Sequence, residues 1–506
     1  MKVIRRLNHS LLLSTALLFA FAAASPAKAY GAATADVEKL TAILSSSAPE
    51  KEKADACREL ARIGTAEAIA PLGALLPDEK LSHMARYALE PIPSPEVDKV
   101  LRAALTKLHG RQLVGVIGSV GVRQDQTAVN ALGTLLKDMD PDVAQAAARS
   151  LGRIGNSAAA KAIQAALPET APGNQLAFCE GLFRCAEALA ADGNRKQATA
   201  IYDTLRRLQS PHHQVRTAAL RGAILTRQKE GLAVLVEALR SPDYAVFSAA
   251  ARVSFEIPGE AATKALATEL GSASADKQIV LAETLGTRGD PAALPALFAS
   301  ARNCEKPVRL AAIQAIGQFG DSSSAPQLLT LSGDADKDIA QAALEAFASL
   351  PGREADEAVI AMFKGSDENR RNTAMELMVR RRMTSAVPDL LSAAAGPEPK
   401  FRVAAMKRIG QLADAGQVPA LTDLLAKAAT PEDLEATEQA LSTVAVRAPD
   451  RNACAEQLAR NLAQMRSEQK CALLRVLNAV GGPSALKAIR WPSEFRTRVV
   501  SARPHR

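Results

Sequence analysis

Residues 306–321 read KPVRLAAIQAIGQFGD, and residues 142–155, DVAQAAARSLGRIG, follow nearly the same pattern. In the first stretch, apolar residues recur at steps of three and four, which places them on one stripe of an α-helix. They are Val308, Ala311, Ala312, Ala315, Ile316 and Phe319. Because such a stripe is buried against neighbouring elements, both stretches predict the same kind of packed helix.

The pattern returns at a fixed interval along the chain. Its central small or apolar residue forms an aligned column in which each member follows the last by 31 residues: Ala219, Ala250, Leu281, Ala312, Ala343, Ala374 and Ala405. Looser matches extend the column to Ala56, Ala85, Leu113 and Ala147 upstream, and to Thr437 and Leu473 downstream. A repeat period between about 20 and 50 residues is typical of solenoid proteins.

Each repeat has room for two helices. A second apolar segment precedes the helix of the column, for example AALPALFAS at 292–300. Two helices of about 12 residues, each roughly 18 Å long, and short turns account for the period. Gly289, Asp290 and Pro291 are suited to ending one helix, capping the next and filling its first position. The sequence predicts an all-α fold, a right-handed α-solenoid of about 13 to 14 helical hairpins.

The segments AVPDLL at 386–391 and VRLAAIQAIGQFGD at 308–321 resemble the HEAT-like repeat, the variety also found in phycobilin lyases. The resemblance covers roughly residues 50–482 and implies a scaffold that binds partners on a concave face. One interval departs from the pattern, because Ala219 follows Ala147 by 72 residues. Within it, ALAADGNRKQATAIYDTL at 188–205 is similar to a tetratricopeptide helix pair.

These observations predict five segments. They are a signal peptide at 1–29, HEAT-like repeats at 30–185, a tetratricopeptide-like insertion at 186–210, regular repeats at 211–482, and a basic tail or cap at 483–506. In the tail, Trp491 and Phe495 are expected to cover the last repeat, and the alternative is a basic peptide for an anionic surface.

The predicted signal peptide has the three parts of a secretory leader. Lys2, Arg5 and Arg6 form a basic start, residues 11–24 are mostly apolar, and residues 27–29 read Ala-Lys-Ala. We expect cleavage after Ala29 and a periplasmic or secreted protein without a membrane span. An uncleaved anchor is the alternative.

Removal of the leader also removes much of the positive charge. The chain carries a formal net charge of +8, and the leader holds four basic residues and no acid, which leaves +4. Residues 490–506 hold five Arg and one Glu, so residues 30–489 are close to neutral. A nearly neutral body argues against nucleic acid as a partner.

The sequence offers no catalytic motif. No His is followed by Glu, as an iron-dependent hydroxylase of this repeat class would require, and GxSxG, HExxH and Walker motifs are absent. For His212 and His213 we favour a helix start over a metal site. The six cysteines form no CxxC, which favours buried free thiols, with one long-range disulfide as the alternative. We therefore predict no enzymatic activity, no cofactor and no metal.

Two sets of arginines recur with the repeat. Arg149, Arg221 and Arg252 lie two positions after the aligned column and are candidates for contacting an acidic protein partner; ordinary solvated charge is the alternative. For the second set, the resemblance to HEAT-like repeats implies pairing with an acidic group of the preceding turn or of the next repeat, which would make a stabilising ladder rather than a binding surface. Its members are Arg216, Arg309, Arg371 and Arg402. The predicted function is a non-enzymatic scaffold that binds other exported proteins, and the alternative is a lyase-like or carrier protein that binds a small molecule in the groove.

Overall fold

The structure is a computed structural model that describes residues 26–208 and 212–490, with residues 26–35 described as backbone. Within these ranges there are 29 α-helices, several of them preceded by a short 3-10 turn, and no strand. The predicted all-α class is therefore confirmed. The chain forms two compact units, one running to Val253 and the other starting at Ser254.

Seven helical hairpins make up the described part of the first unit. Their paired helices are α1 (Pro26–Ser45) with α2 (Glu50–Ile63), α3 (Ile69–Ala74) with α4 (Ser82–Leu89), α5 (Pro95–Leu105) with α6 (Gly110–Val122), α7 (Val129–Leu135) with α8 (Pro141–Ile154), α9 (Ser157–Ala166) with α10 (Gln175–Ala191), α11 (Arg195–Arg207) with α12 (His213–Thr226), and α13 (Gly231–Leu239) with α14 (Tyr244–Val253). Within this unit, each second helix from α2 to α12 packs on the second helix of the next hairpin.

The second unit repeats this arrangement. Its hairpins are α15 (Glu260–Leu270) with α16 (Ala275–Arg288), α17 (Leu294–Asn303) with α18 (Lys306–Phe319), α19 (Ala325–Leu331) with α20 (Lys337–Ser349), α21 (Arg353–Phe363) with α22 (Glu368–Arg380), α23 (Val387–Ala394) with α24 (Pro399–Leu412), α25 (Val418–Lys427) with α26 (Pro431–Val446), and α27 (Arg451–Ala459) with α28 (Ser467–Val480). A last helix, α29 (Gly482–Arg490), packs on α27 and α28. The α-solenoid and its predicted number of hairpins are confirmed.

The aligned column forms the core of the second helices. Every member of the column, from Ala56 to Leu473, lies in the second helix of a hairpin and is at most 4% exposed. Small residues dominate because the neighbouring second helices pack on this side. The period read from the sequence is therefore the period of buried helix contacts.

The first glycine of the repeated phrase lies where two second helices approach closely. A Cβ on Gly152 of α8 would lie 2.7 Å from the Cα of Gly181 in α10. In the same way, a Cβ on Gly317 of α18 would lie 3.0 Å from the Cα of Ala346 in α20. Because side chains at these positions would collide with the next helix, the backbone contact explains the glycine.

The predicted turn after α16 is confirmed. Gly289 is left-handed, with φ of 64°, and the Asp290 carboxylate accepts a hydrogen bond from the Ala292 amide at 3.0 Å. Gly320 differs, since its φ is −57° and its amide donates to the Ile316 carbonyl at 2.7 Å. A Cβ there would lie 2.6 Å from that carbonyl oxygen, so close approach rather than a left-handed turn accounts for Gly320.

The interval between Ala147 and Ala219 contains two ordinary hairpins. Phe178 of α10 follows Ala147 by 31 residues and is fully buried, so the repeat continues one step further than the column predicted. The ten extra residues lie in the interval from Phe178 to Ala219, where α10 extends to Ala191. The predicted boundary at 185/186 falls inside α10, and α11 packs on both α10 and α12. The described residues of the predicted insertion, 186–208, are therefore part of the stack.

The two predicted ends of the chain fall partly outside the described residues. Residues 1–25 of the predicted signal peptide and residues 491–506, with Trp491, are among those not described. The predicted cut after Ala29 falls inside α1, of which Val37 and Leu44 are buried. The predicted start of the tail falls inside α29, which belongs to the stack. Among the described helices, none is long and apolar enough to cross a membrane.

The cysteines are free, as favoured from the sequence, and four are buried. Burial raises the pKa of Cys57 and Cys179 to about 11 and that of Cys185 to about 12. Since the thiolate is the reactive form, we expect these thiols and Cys454 to resist Ellman's reagent until the protein unfolds. Exposed Cys471 should react in the native protein, and Cys471→Ser should remove that rapid reaction. Rapid labelling of Cys185 in the native state would contradict the expectation.

Candidate functional site

The second helices share an outward row of side chains, two positions after the aligned column. Arg149, Arg221 and Arg252 are exposed on α8, α12 and α14 of the first unit. In the second unit the row is exposed at Glu283, Gln314, Glu345 and Lys407 and half-buried at Glu376. The structure thus places the three predicted binding arginines at equivalent positions of one unit, with α10 between the helices of Arg149 and Arg221, and not in a single pocket.

The same row contains members that the sequence analysis missed. On α4 and α10 the equivalent positions are Tyr87 and Glu180, and on α6 the position is Gly118, because buried Val116 rather than Leu113 stands 31 residues from both Ala85 and Ala147. The signal was present in the 31-residue spacing, but Val116 and Phe178 are not members of the aligned column and the residue types are not basic. The Nε of Arg149 lies 3.2 Å from Oε2 of Glu180, and both side chains are nearly half exposed. Such an exposed ion pair contributes about 0–1 kcal/mol, so Arg149 remains available to a partner.

The second set of arginines forms ion pairs with acids of the following hairpin. Each acid lies at or just before the start of the next second helix, where the helix dipole also favours a negative charge. The pairs are Arg216–Asp243, Arg309–Asp334, Arg371–Glu398 and Arg402–Asp433. All four acids belong to the next repeat, which is one of the two locations expected for the partners.

Replacement of Arg309 by alanine tests whether this ladder stabilises the protein. Arg309 pairs with Asp334, its Nε donates to the Ala301 carbonyl at 2.7 Å, and its side chain is 17% exposed. We expect Arg309→Ala to reduce the free energy of unfolding by about 1–3 kcal/mol, measured by urea denaturation of the whole chain. Unchanged stability together with weaker partner capture would assign Arg309 to binding instead.

The pH dependence of this variant has a definite sign. The hydrogen bond from Arg309 lowers the pKa of Asp334. The ion pair therefore contributes its full stabilisation above the pKa of Asp334 in the unfolded chain, about 3.9. This stabilisation is lost as the pH falls through the lower pKa that Asp334 has in the folded chain. The difference in melting temperature between wild type and Arg309→Ala should shrink in that acidic range.

A third set of arginines, at the ends of second helices, was not predicted. These residues donate to backbone carbonyls in the turn that follows the preceding second helix, and they are Arg123, Arg288, Arg381 and Arg447. The last carbonyls of a helix lack partners within the helix, and the guanidinium groups supply them. The sequence contains only a weak signal for this set, the spacing of three periods between Arg288 and Arg381. The acceptors are backbone atoms, which leave no pattern of side chains in the sequence.

Two cavities lie in the second unit. One of about 250 Å³ lies beside Arg402 and Asp433 and is lined mainly by small and apolar side chains, such as Met406. The other, of about 510 Å³, lies between α17 and α19 and includes Phe298 and Arg302. The described part of the chain contains no group of three or more His, Cys, Asp or Glu placed to hold a metal ion. His213 is the first residue of α12, which confirms the predicted helix start.

The chain matches the family model of HEAT repeats at residues 111–182 and 263–348. A search of curated proteins gives no significant match. Similar solved structures include a mutant of Kap121p, at 12% identity and a TM-score of 0.39, with 93% of this chain and 65% of that chain covered. This chain thus spans about two thirds of the Kap121p chain.

Two shorter structures are also similar to part of the chain. Human deoxyhypusine hydroxylase matches at 18% identity and a TM-score of 0.23, over 51% of this chain and 98% of the hydroxylase chain. The complex of CpcE and CpcF of phycocyanin lyase from Nostoc sp. PCC7120 matches at 16% identity and a TM-score of 0.23, over 49% of this chain and 94% of that chain.

Proposed function

We propose that this protein is a non-enzymatic, exported scaffold that binds other exported proteins through the outward row of its second helices. The observation that carries the proposal is the exposure of Arg149, Arg221 and Arg252 at one equivalent position of three second helices. A solenoid buries its apolar stripes between neighbours and leaves continuous faces, of which the concave one is the usual binding surface. Protein binding is common among folds of this type.

The export in this proposal depends on the N-terminal leader. A basic start, an apolar run and a small-residue cut site support it. Mass spectrometry of the protein recovered from the periplasm or medium should give an N-terminus at Tyr30. Recovery from the cytosol with the leader intact would overturn this part of the proposal.

The binding row is tested by charge reversal. Replacing Arg149, Arg221 and Arg252 together by Glu should abolish cross-linked capture of exported proteins in intact cells, because an acidic partner would then be repelled. A matched control replaces Lys161, Arg195 and Lys196, which are equally basic and exposed but lie on first helices of the same unit, α9 and α11. Equal capture by both triple variants and wild type would eliminate the row as the binding surface.

The cavity between α17 and α19 supports a second candidate, a carrier or lyase-like protein for a small molecule. Its volume of about 510 Å³ lies within the roughly 300–1,000 Å³ typical of ligand pockets, and Arg302 supplies a positive charge at its wall. Native mass spectrometry of the purified protein would detect a retained ligand. A ligand lost on replacing Phe298 by Trp would favour the carrier over the scaffold.

A further inference from the structure

The outward face of α6 differs from that of the other second helices. It presents Val114, Gly115, Gly118 and Val122, which we call the α6 trough. A Cβ added to Gly118 would meet nothing within 4 Å, and Val122 is 51% exposed. Since glycine has no side chain, the middle of this face is helix backbone open to solvent. Gly118 occupies the row position of α6, where the neighbouring helices α4 and α8 carry the longer side chains Tyr87 and Arg149.

Tyrosine and arginine side chains flank the trough. Helix α6 packs between α4 and α8. On α4, Tyr87 occupies the row position and is 57% exposed; on α8 the row position is Arg149. Tyr and Arg are enriched in protein interfaces and are frequent hot spots. The trough therefore has an apolar floor with amphipathic and basic sides.

Arg86 lies at the edge of the trough and forms no direct ion pair with a described residue. Its Nη1 donates to the Gly115 carbonyl at 3.1 Å, and its Cζ lies 2.4 Å from where a Cβ of Gly115 would stand. Its buried Nε has no hydrogen-bond partner, and no carboxylate of the described residues lies within ion-pair distance. Burial lowers the pKa of Arg86, and Glu90 acts in the opposite direction. Burying a cation without an anion is costly, so this guanidinium would gain from an added carboxylate.

A second positive charge lies on this surface. Arg111 is exposed on the trough side of α6 and forms no ion pair with another described residue. Glu90, the acid closest to Arg86, accepts a hydrogen bond from the Ser119 hydroxyl at 2.7 Å. The chain's own leader and tail are poor occupants, because both are basic. Charge complementarity instead requires an acidic partner.

We propose that the α6 trough is the docking site for an acidic, extended segment of an exported partner protein. An apolar side chain of that segment lies on Gly118 between Tyr87 and Val122, and an adjacent carboxylate pairs with Arg86. The inference rests on the proposed scaffold function and names the partner chemistry and the anchoring position. Because the floor of the trough is exposed backbone, an apolar side chain of the partner can approach α6 more closely than it could approach α8, where Arg149 is in the way.

Gly118→Glu is the variant of choice, because it places a negative charge in the trough and its Cβ would have no neighbouring atom within 4 Å. Glutamate also favours helix over glycine, so the melting temperature should stay unchanged or rise. The matched control is Gln314→Glu, which adds the same charge at the exposed row position of α18 in the second unit. The probe is a phage-displayed library of random twelve-residue peptides, selected on the full wild-type chain with Gly118→Glu as counter-selection.

The selected peptides should combine Asp or Glu with a neighbouring Leu, Phe or Tyr. Measured by fluorescence anisotropy of the labelled synthetic peptide, Gly118→Glu should weaken binding at least about tenfold, and Gln314→Glu should leave it unchanged. No enrichment over the counter-selection, enrichment of basic peptides, or equal weakening by both variants would overturn the proposal. Displacement of the peptide by a single-stranded DNA oligonucleotide at physiological salt would also overturn it, since the site would then be a general anion site.

Failure of the trough and failure of the scaffold can be told apart. If Gly118→Glu leaves both peptide binding and cellular capture intact while the Arg149, Arg221 and Arg252 triple variant loses capture, the trough is wrong and the scaffold stands. If neither variant changes capture, both proposals fail.

Discussion

Replacing Arg381 by alanine should destabilise the second unit by about 3 kcal/mol, a large effect for one side chain. The Nη1 atom of Arg381 donates to the Leu350 carbonyl at 2.7 Å, and its Nε lies 2.6 Å from Oδ1 of Asp356. Further contacts reach the carbonyls of Phe347 and Gly352. The arginine side chain is only 8% exposed. Its loss would leave the carbonyls at the end of α20 and the carboxylate without their shared donor, and water has limited access to replace it.

Urea denaturation followed by circular dichroism measures this loss, and two further variants make it specific. Arg353→Ala removes a guanidinium whose side chain is 87% exposed and pairs only with Glu357, so we expect a change below about 0.5 kcal/mol. Arg381→Lys should give an intermediate value, because a single ammonium cannot reach acceptors on several sides at once. Similar midpoints for Arg381→Ala and Arg353→Ala would show that the carbonyl contacts do not contribute.

The sequence predicted the features that depend on side-chain periodicity. The burial of the aligned column, the hairpin count and the outward position of Arg149 all follow from a 31-residue repeat and a helical stripe. An acidic partner for Arg309, in the preceding turn or the next repeat, was expected from the resemblance to HEAT-like repeats, and the structure has it in the next hairpin. Periodic side-chain chemistry is what a single sequence records best.

The features that were missed depend on backbone atoms or on a single unusual residue. The carbonyl acceptors of Arg381 belong to the main chain, which every residue shares, so no pattern marks them. The fifth hairpin escaped detection because Phe178 stands where the other repeats carry Ala, Leu or Thr. The α6 trough was missed for a third reason. Glycine in a helix indicates close packing and open surface equally well, and only the neighbours of Gly118 and Gly181 distinguish the two cases.

Gly181 allows the close-packing interpretation to be tested with a large expected effect. A Cβ at this position would lie 2.4 Å from the Ala148 carbonyl oxygen of α8 and 3.0 Å from Cδ1 of Ile163. The first of these neighbours is backbone and cannot rotate away. Gly181→Val would therefore force α8 and α10 apart, at a cost of about 3 kcal/mol or more, since overpacking of a filled core typically costs 1–3 kcal/mol per added group.

The matched control for Gly181→Val is Gly118→Ala, a substitution in a second helix of the same unit. There the added methyl group meets no neighbour, and alanine is favoured over glycine in a helix by about 1 kcal/mol, so the protein should become slightly more stable. Thermal unfolding of both variants should give shifts of opposite sign. Equal shifts of the melting temperature would mean that the helix propensity of the new residue has a larger effect on stability than its contact with the neighbouring helix. Opposite shifts would show that the separation of α8 and α10, set by a backbone without side chains at Gly152 and Gly181, holds the middle of the first unit together.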